Sequence, residues 1–477
     1  MTHPAHEYDA IEHALHSAGQ GHLVTQWPAL SESQRQSLLD DIRAIDLALC
    51  RELAPRYVTK RPAAPLPLRV EPPTILPADP GREHTDLYRR ARARGEASIR
   101  GGKVAAFTVA GGQGTRLGFD GPKGAFRISP VRNVSLFQLF AEYLLGVRRR
   151  FDTLPRWYIM TSPTNHAETV AFFAQHQSFG LPPDSVRFFQ QGQMPAFLPD
   201  GRIAMRARDG IALSPDGHGG SLRALAASGA LREMAEHGVE YISYFQVDNP
   251  LVKPIDPLFV GLHAELGSEM SSKAVTKADD LERVGNFCVA DGKLQVIEYS
   301  DLPESLARAR NADGSRRFDA GSIAIHVLSR SFVERLTAPG AAVQLPWHRA
   351  DKKSPVWDPA KPNDAPRPRD VVKLELFIFD AIPLAQNPLV LYTPREEEFS
   401  PVKNAEGVDS PATSRRDQVR RAARWLERCG TKMPRDARGE PTVTLEISPA
   451  YALDVDDLRS RFNTAPFLEP GGSYVLA

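Results

Sequence analysis

Residues 104–123, VAAFTVAGGQGTRLGFDGPK, constrain this chain more than any other stretch. A β-branched, apolar run (Val104–Ala110) enters a loop holding Gly111, Gly112, Gly114, Thr115 and Gly118. Arg116 and Lys123 follow as fixed cations, and Ser135 opens a helical pattern. Glycines let backbone N–H groups come close to an anion, and Arg and Lys then supply charge. That is chemistry for a polyphosphate. A tight strand-to-helix turn also needs glycine, so the glycines alone do not decide. The loop is not a G-x-x-x-x-G-K-[ST] loop. Nor is it the G-x-G-x-x-G of a dinucleotide site, because Leu117 occupies the third glycine position. An NAD-binding oxidoreductase would need that fingerprint.

From about residue 84 to 400 strand and helix patterns alternate. Strands are expected at Val104–Ala110, Arg156–Thr161, Val186–Gln190 and Tyr241–Val247, and helices at Ser135–Arg148, Asn165–Gln177 and Gly220–His237. The alternation predicts an α/β domain, a mostly parallel sheet with helices on both faces. Ligands of such sheets sit beyond the carboxyl ends of the strands, where the glycine loop and Asp248 both fall. After about residue 270 the pattern is more mixed, with short strands around Lys273–Thr276, Leu294–Tyr299 and Ile323–Val327.

The flanks differ. Residues 8–58 read as helical: Ser31 and Gln34 have capping-box spacing, and Leu38, Leu39, Ile42, Ile45, Leu49 and Leu53 make one apolar face. That face needs a partner, most simply the main domain. The proline-rich stretch Lys60–Pro80 reads as a surface linker. Near the other end, a basic helix (Ser414–Arg428) precedes short β-like segments around Thr442–Ile447. The expected division is 1–83 (helical region and linker), 84–400 (catalytic domain) and 401–477 (C-terminal domain).

The chain has 477 residues, enough for two or three domains. Its net charge of +1 gives no reason to expect nucleic acid or an anionic membrane as partner. No apolar run approaches the ~20 residues of a spanning helix, and MTHPAHEYDA lacks a signal-peptide core, so a cytoplasmic location is expected. Cys50, Cys288 and Cys429 are far apart, without C-x-x-C spacing, and read as buried or partly buried thiols. Oligomeric state is left open.

The full string G-G-x-G-T-R-L-G-x-x-x-P-K resembles that of the UDP-sugar pyrophosphorylases, most closely the eukaryotic-type UDP-N-acetylglucosamine pyrophosphorylases. The likeness recurs at FFQQGQMPAF (188–197), SPDGHGG (214–220), QVDNPLVKPIDP (246–257), VIEYSDL (296–302), FDAGSIAIH (318–326), VKLELFIFD (372–380), EFSPVKNAEG (398–407) and EISP (446–449). It implies a Rossmann-like, GT-A-like nucleotidyltransferase sheet with an N-terminal helical region and a small C-terminal α+β domain. The implied activity is a uridylyltransferase that makes a UDP-sugar from UTP and a sugar 1-phosphate, with Mg²⁺.

Both substrates of such a reaction are anions, so the site must align them and supply positive charge. Arg116 suits the β/γ oxygens and Lys123 the α-phosphate. Lys403 matches the family's second-substrate lysine, whereas the Glu396–Glu398 run before it reads as a solvated face. Asp248, at a strand end, suits Mg²⁺. Gln191 offers a donor and an acceptor to the uracil imide, while its neighbour Gln190 should face the other way. The resemblance adds backbone contacts from Gly111 and Gly217. On the sugar side it points to Glu298, Gly285 and Ser322. Here the chain departs from the acetylglucosamine enzymes: Ser322 stands where they carry Asn, and His218 interrupts their D-G-N-G-G and is reminiscent of UDP-glucose pyrophosphorylases. His218 reads either as a donor to sugar or phosphate or as a loop residue, and Phe377 and Phe379 as a sugar floor or as core. Acetylglucosamine 1-phosphate, glucose 1-phosphate and a broader range all stay open, as does a nucleotide-sugar sensor without turnover.

Overall fold

Val104–Val109 is buried along almost its whole length, as a strand with neighbours on both sides must be. A computed structural model describes residues 4–61, 67, 69–341, 344–461 and 467–477. Contacts group the chain into two units that interleave along the sequence: 67–190, 222–344 and 381–477 form the larger, and 1–66, 191–221 and 345–380 the smaller.

The larger unit is built on a ten-stranded mixed sheet. In it β1 (Val104–Val109), β2 (Trp157–Thr161), β3 (Val186–Gln190) and β4 (Tyr241–Gln246) run parallel in the order β4-β1-β2-β3. The mixed half comprises β5 (Met270–Thr276), β6 (Asn286–Ala290), β7 (Lys293–Ile297), β8 (Ala320–Ser329) and β9 (Leu389–Tyr392). Strand β8 is antiparallel to β4, β5 and β6, β7 pairs with β6, and β9 runs parallel to β5. Successive side chains of β2 point to opposite faces. Trp157 meets Phe137 and Phe173 from helices Leu136–Phe151 and His166–Gln175, while the Tyr158 hydroxyl donates to Glu233 of helix Ala230–Glu236. The expected α/β fold with helices on both faces is therefore present. The single helix expected over Gly220–His237 is two, broken where Gly229 adopts φ +75°.

Two details shape this unit. Helices Thr85–Arg100 and Pro257–Glu265 touch backbone to backbone: a Cβ on Gly95 would lie 1.8 Å from the Pro257 carbonyl oxygen, and one on Gly261 1.7 Å from that of Ala91. Strand β8 carries a bulge, where Ser272 faces His326 but Ala274 faces Ser322, and Ala324 takes φ +54°. The C-terminal segment adds helix Pro411–Arg428, with a Ser410–Thr413 capping box, and a parallel pair, Thr444–Ile447 with Ser473–Leu476.

The smaller unit shows where the N-terminal helices find their partner. Pro4–Ser17, Glu32–Arg43 and Leu47–Leu53 bury Leu15, Leu38 and Leu53 with Phe197, Ile203, Trp357 and Leu374. The last of these sits on a long hairpin, Trp347–Val356 with Arg367–Leu376. Gln20 ties the helices to residues 201–203, donating to Gly201 and accepting from the Ile203 N–H. The expected Ser31–Gln34 capping box is formed. The linker expected over Lys60–Pro80 falls partly outside the described residues, at 62–66 and 68. Its later part pairs with the sheet through Val70–Glu71 and through Leu76 against β9. Cys50 and Cys288 are buried and Cys429 is half-buried, all as free thiols.

Candidate active site

The loop after β1 is folded back on itself. The Gly114 N–H donates to Gly121 O (2.9 Å), the Lys123 N–H to Gly112 O (3.1 Å), and Gly118 takes φ +69°. Gly114 has no room for a side chain, since a Cβ would lie 2.6 Å from Phe119 Cδ1. Asn165, fully buried, fastens the loop from outside: its Nδ2 donates to the carbonyls of Ala110 (2.9 Å) and Gly112 (3.3 Å). Sequence reasoning placed Asn165 only at a helix start; an Asn in that position can cap a helix, and nothing local shows it reaching back to the loop. Thr115 and Arg116 are exposed and Lys123 half-buried. Among the described residues neither the Arg116 nor the Lys123 side chain has a hydrogen-bond or ion-pair partner.

Asp248 emerges beside this loop. Strands β1 and β4 are parallel neighbours, and the Val247 N–H donates to Val109 O (3.1 Å). The Asp248 carbonyl accepts from the Val402 N–H at 2.8 Å, which puts Lys403 one residue away from the strand end. Asn249 pins the same segment, donating to Glu398 O (2.6 Å) and accepting from the Ser400 N–H (3.1 Å). Behind it lies a buried ion cluster. Lys273, 1 % exposed, reaches Glu398 Oε2 (2.5 Å) and Asp256 Oδ2 (2.6 Å), and Lys253 reaches Glu398 Oε1 (3.1 Å). Asp256 is accordingly held far below the usual carboxylate range: burial opposes ionisation, and the charges of Lys273 and Lys253 overcome it. This corrects the reading of Glu396–Glu398 as a solvated face. Glu398 is a buried anchor, and Glu397 accepts from Arg424 and Trp425. Three successive glutamates look alike in sequence, and only distant partners separate their roles.

The Lys403 ammonium lies 5.6 Å above the Phe399 ring and 3.8 Å from Asp409 Oδ2. Asp248 is half-exposed, with a hard oxygen donor of the kind Mg²⁺ selects. No group of three His, Cys, Asp or Glu side chains able to hold a metal occurs among the described residues. The donor set fits a metal held through one carboxylate and substrate phosphates rather than by a protein cage.

Gly285, Glu298 and Ser322 come together in the mixed half of the sheet. The Ser322 N–H donates to Gly285 O at 2.8 Å. A Cβ on Gly285 would lie 2.5 Å from Val296 Cγ1, 3.7 Å from Glu298 Oε1 and 3.8 Å from Ser322 Cβ, so the three residues pack closely and a side chain at 285 would meet Val296.

Gln191, Gly217 and His218 belong to the smaller unit. Gln191 is 8 % exposed, whereas Gln190, the last residue of β3, is exposed, as their alternation predicts. Gly217, at φ +86°, presses against the hairpin: a Cβ there would meet Leu376 O at 2.4 Å. His218 accepts the Ile378 N–H on Nδ1 (3.1 Å), which leaves the proton of a neutral ring on Nε2. Burial, and then the charge of His348, push its pKa down to about 4, so the ring is neutral near pH 7. Its face stacks on Phe377 (5.3 Å), which also neighbours Phe379 (5.1 Å) and His348 (4.3 Å), the latter hydrogen-bonded to Asp380. Phe379 is buried, and Phe377 only half so.

Residues 68–472 match the protein family described as UTP–glucose-1-phosphate uridylyltransferase. The chain is 35% identical to a human UDP-N-acetylhexosamine pyrophosphorylase-like protein 1, over 96% of this chain and 95% of that one. It is 34% identical to the UDP-N-acetylglucosamine pyrophosphorylase of Saccharomyces cerevisiae, over 87% and 90%. Its fold is similar to a crystal structure of the uridine diphosphate N-acetylglucosamine pyrophosphorylase from Trypanosoma brucei, with TM-score 0.80 and 27% identity over 95% and 94% of the two chains.

Proposed function

The chain belongs to the UTP–glucose-1-phosphate uridylyltransferase family, and we propose on that premise that it makes a UDP-sugar from UTP and N-acetylglucosamine 1-phosphate. As a UDP-sugar pyrophosphorylase it is a nucleotidyltransferase. A phosphate oxygen of the sugar attacks the α-phosphorus of UTP, the bond to the bridging α–β oxygen breaks, and pyrophosphate leaves. No protein nucleophile is required; alignment and charge are. The observation that carries this reading is the hydrogen bond from Val402 to Asp248, which supports a metal carboxylate and a phosphate-binding lysine acting on one reaction centre.

In this reading the side chains of Arg116 and Lys123, without partners among the described residues, hold the triphosphate, and Gly111, Gly112, Gly114 and Thr115 bring backbone close to it. Lys403 neutralises the incoming sugar phosphate. Asp248 holds Mg²⁺, which when bound relieves repulsion between phosphate oxygens. Gln191 and Gly217 read the uracil, and Glu298, Gly285 and Ser322 the sugar. His218, neutral at physiological pH, acts as an Nε2–H donor and not as a cation. Functionally, 84–400 is the catalytic segment, flanked by 1–83 and by 401–477, which brings Lys403. A cytoplasmic location belongs to the same proposal; no described helix is long and apolar enough to cross a membrane.

Ser322 favours a second reading. A serine hydroxyl replaces the two-sided hydrogen bonding of an amide, which suits a sugar with a 2-hydroxyl and hence glucose 1-phosphate. Pyrophosphate release from UTP and Mg²⁺ with each sugar phosphate at matched concentration decides. Release with acetylglucosamine 1-phosphate is the expected result, release with glucose 1-phosphate alone selects the second reading, and binding of UTP with Mg²⁺ but no release with any sugar phosphate makes the chain a sensor.

A further inference from the structure

Lys403 has to be available to a phosphate that is absent for part of each cycle, and a lysine stem is the most mobile of side chains. Fixing one costs rotamer freedom. The loop from 403 to 409 addresses this. The Lys403 and Asn404 N–H groups both donate to the carbonyl of Asp409, at 2.7 and 3.1 Å, and Asn404 Nδ2 donates to Val408 O at 2.8 Å. The ring of contacts closes because Asp409 takes φ +56°, a conformation Asp and Asn tolerate better than other side chains. The same residue then turns its carboxylate toward the ammonium of the lysine whose backbone it holds, at 3.8 Å.

We propose that Asp409 is a positioning residue for Lys403, parking the lysine ammonium against the Asp409 carboxylate until a substrate phosphate displaces it. This rests on Lys403 being the cation of the sugar phosphate. Three observations favour it over a purely structural Asp409. The next residue, Ser410, already caps helix Pro411–Arg428 reciprocally with Thr413, so the helix start does not depend on the Asp409 side chain. The pair is partly solvated, with side chains 40% and 31% exposed, and an ion pair of that kind is weak enough to exchange. Burial raises the Asp409 carboxyl and Lys403 lowers it, while Asp248 and Glu282 raise it further, so the carboxylate sits in the field of the strand-end aspartate as well as of the lysine. A phosphate dianion carries more charge than one carboxylate and wins the ammonium on arrival.

The test is a double-mutant cycle with Asp409→Asn and Lys403→Ala, because Asn keeps the backbone conformation and its carbonyl while removing the charge. Asp409→Asn should lower kcat about five- to tenfold, the rate equivalent of the lost ordering, and leave KM for UTP within about twofold. In the Lys403→Ala background the same change should have almost no effect. An equal loss in both backgrounds, or a raised Mg²⁺ requirement in Asp409→Asn alone, would overturn the proposal and make Asp409 a structural residue or a metal ligand. A second arm needs no turnover: acylation of the Lys403 amine by acetic anhydride, followed by peptide mass spectrometry, should quicken about threefold in substrate-free Asp409→Asn once the ion pair is gone. Unchanged acylation means the ammonium is not held. If wild-type protein releases no pyrophosphate with any sugar phosphate while the acylation difference is present, the proposed reaction fails and the pairing stands.

Discussion

Lys403 and Asp248 stand one hydrogen-bonded residue apart with opposite charges, so their removal should leave different kinetic signatures. Lys403→Ala should cut kcat about 100-fold or more while KM for UTP changes little, because its proposed partner is the other phosphate. Parallel loss of UTP affinity, read by titration calorimetry, would move Lys403 to the nucleotide side. Asp248→Asn keeps shape and removes charge. It should raise the Mg²⁺ concentration needed for half-maximal activity without lowering the unfolding temperature, and wild-type Mg²⁺ dependence would remove Asp248 from the metal site. Sequence nominates both residues, Asp248 from its place after an apolar run and Lys403 from a motif, and their proximity was not legible there. Asn165, Glu398 and Asp409 were not. Each owes its role to partners that sequence order does not mark: a carbonyl 55 residues away, an ammonium 125 away, and a loop closure that depends on one backbone angle.

Among the elements, those that bound the glycine loop were the easiest to read. Strands β1 and β2 announce themselves as short apolar runs, because a parallel strand covered on both faces has no polar side to show. The mixed half was harder. The bulge of β8 resets its pairing with β5 so that Ser322 lies next to Gly285, and an alanine at φ +54° carries no signal in composition. Nor does helix pairing: Gly95 and Gly261 look like weak helix formers, yet each allows the other helix's backbone to come into contact. Gly261→Ala should therefore destabilise the protein by about 3 kcal/mol or more, since the obstacle is a carbonyl and not a side chain able to turn aside. Thermal unfolding checks this, and a change within about 0.5 kcal/mol, as at an ordinary exposed site, would mean the helices part without cost.

At the scale of the whole molecule, each unit contains a histidine held neutral by burial. His263, fully buried between Ser271 and Ser329, is pushed down to about 3, and His218 to about 4. Their unfolded pKa lies near 6.5, so below that pH the unfolded chain binds protons the folded one does not. Stability is thus full above pH 6.5 and falls as pH drops toward the folded values. Each histidine should remove about 2 kcal/mol between pH 7 and pH 5. Urea midpoints at the two pH values measure the difference, and His263→Gln should shrink it; an unchanged difference would mean that His263 takes up its proton without unfolding. The sequence-level view of three successive segments gave a sound α/β core but missed the interleaving, because local patterns cannot show that residues 191–221 and 345–380 join the N-terminal helices.

That interleaving has a consequence in time. Residues 15–58 complete their core only with the hairpin strand that ends at Leu376. At a synthesis rate of about 5–20 residues per second, the ribosome needs on the order of 15–60 s to deliver the intervening chain. Residues 194–211 offer the first helices a partial cover on the way, but until the hairpin follows part of their oily side stays open, which makes the nascent chain, rather than the finished protein, the form most exposed to holdase chaperones and to aggregation.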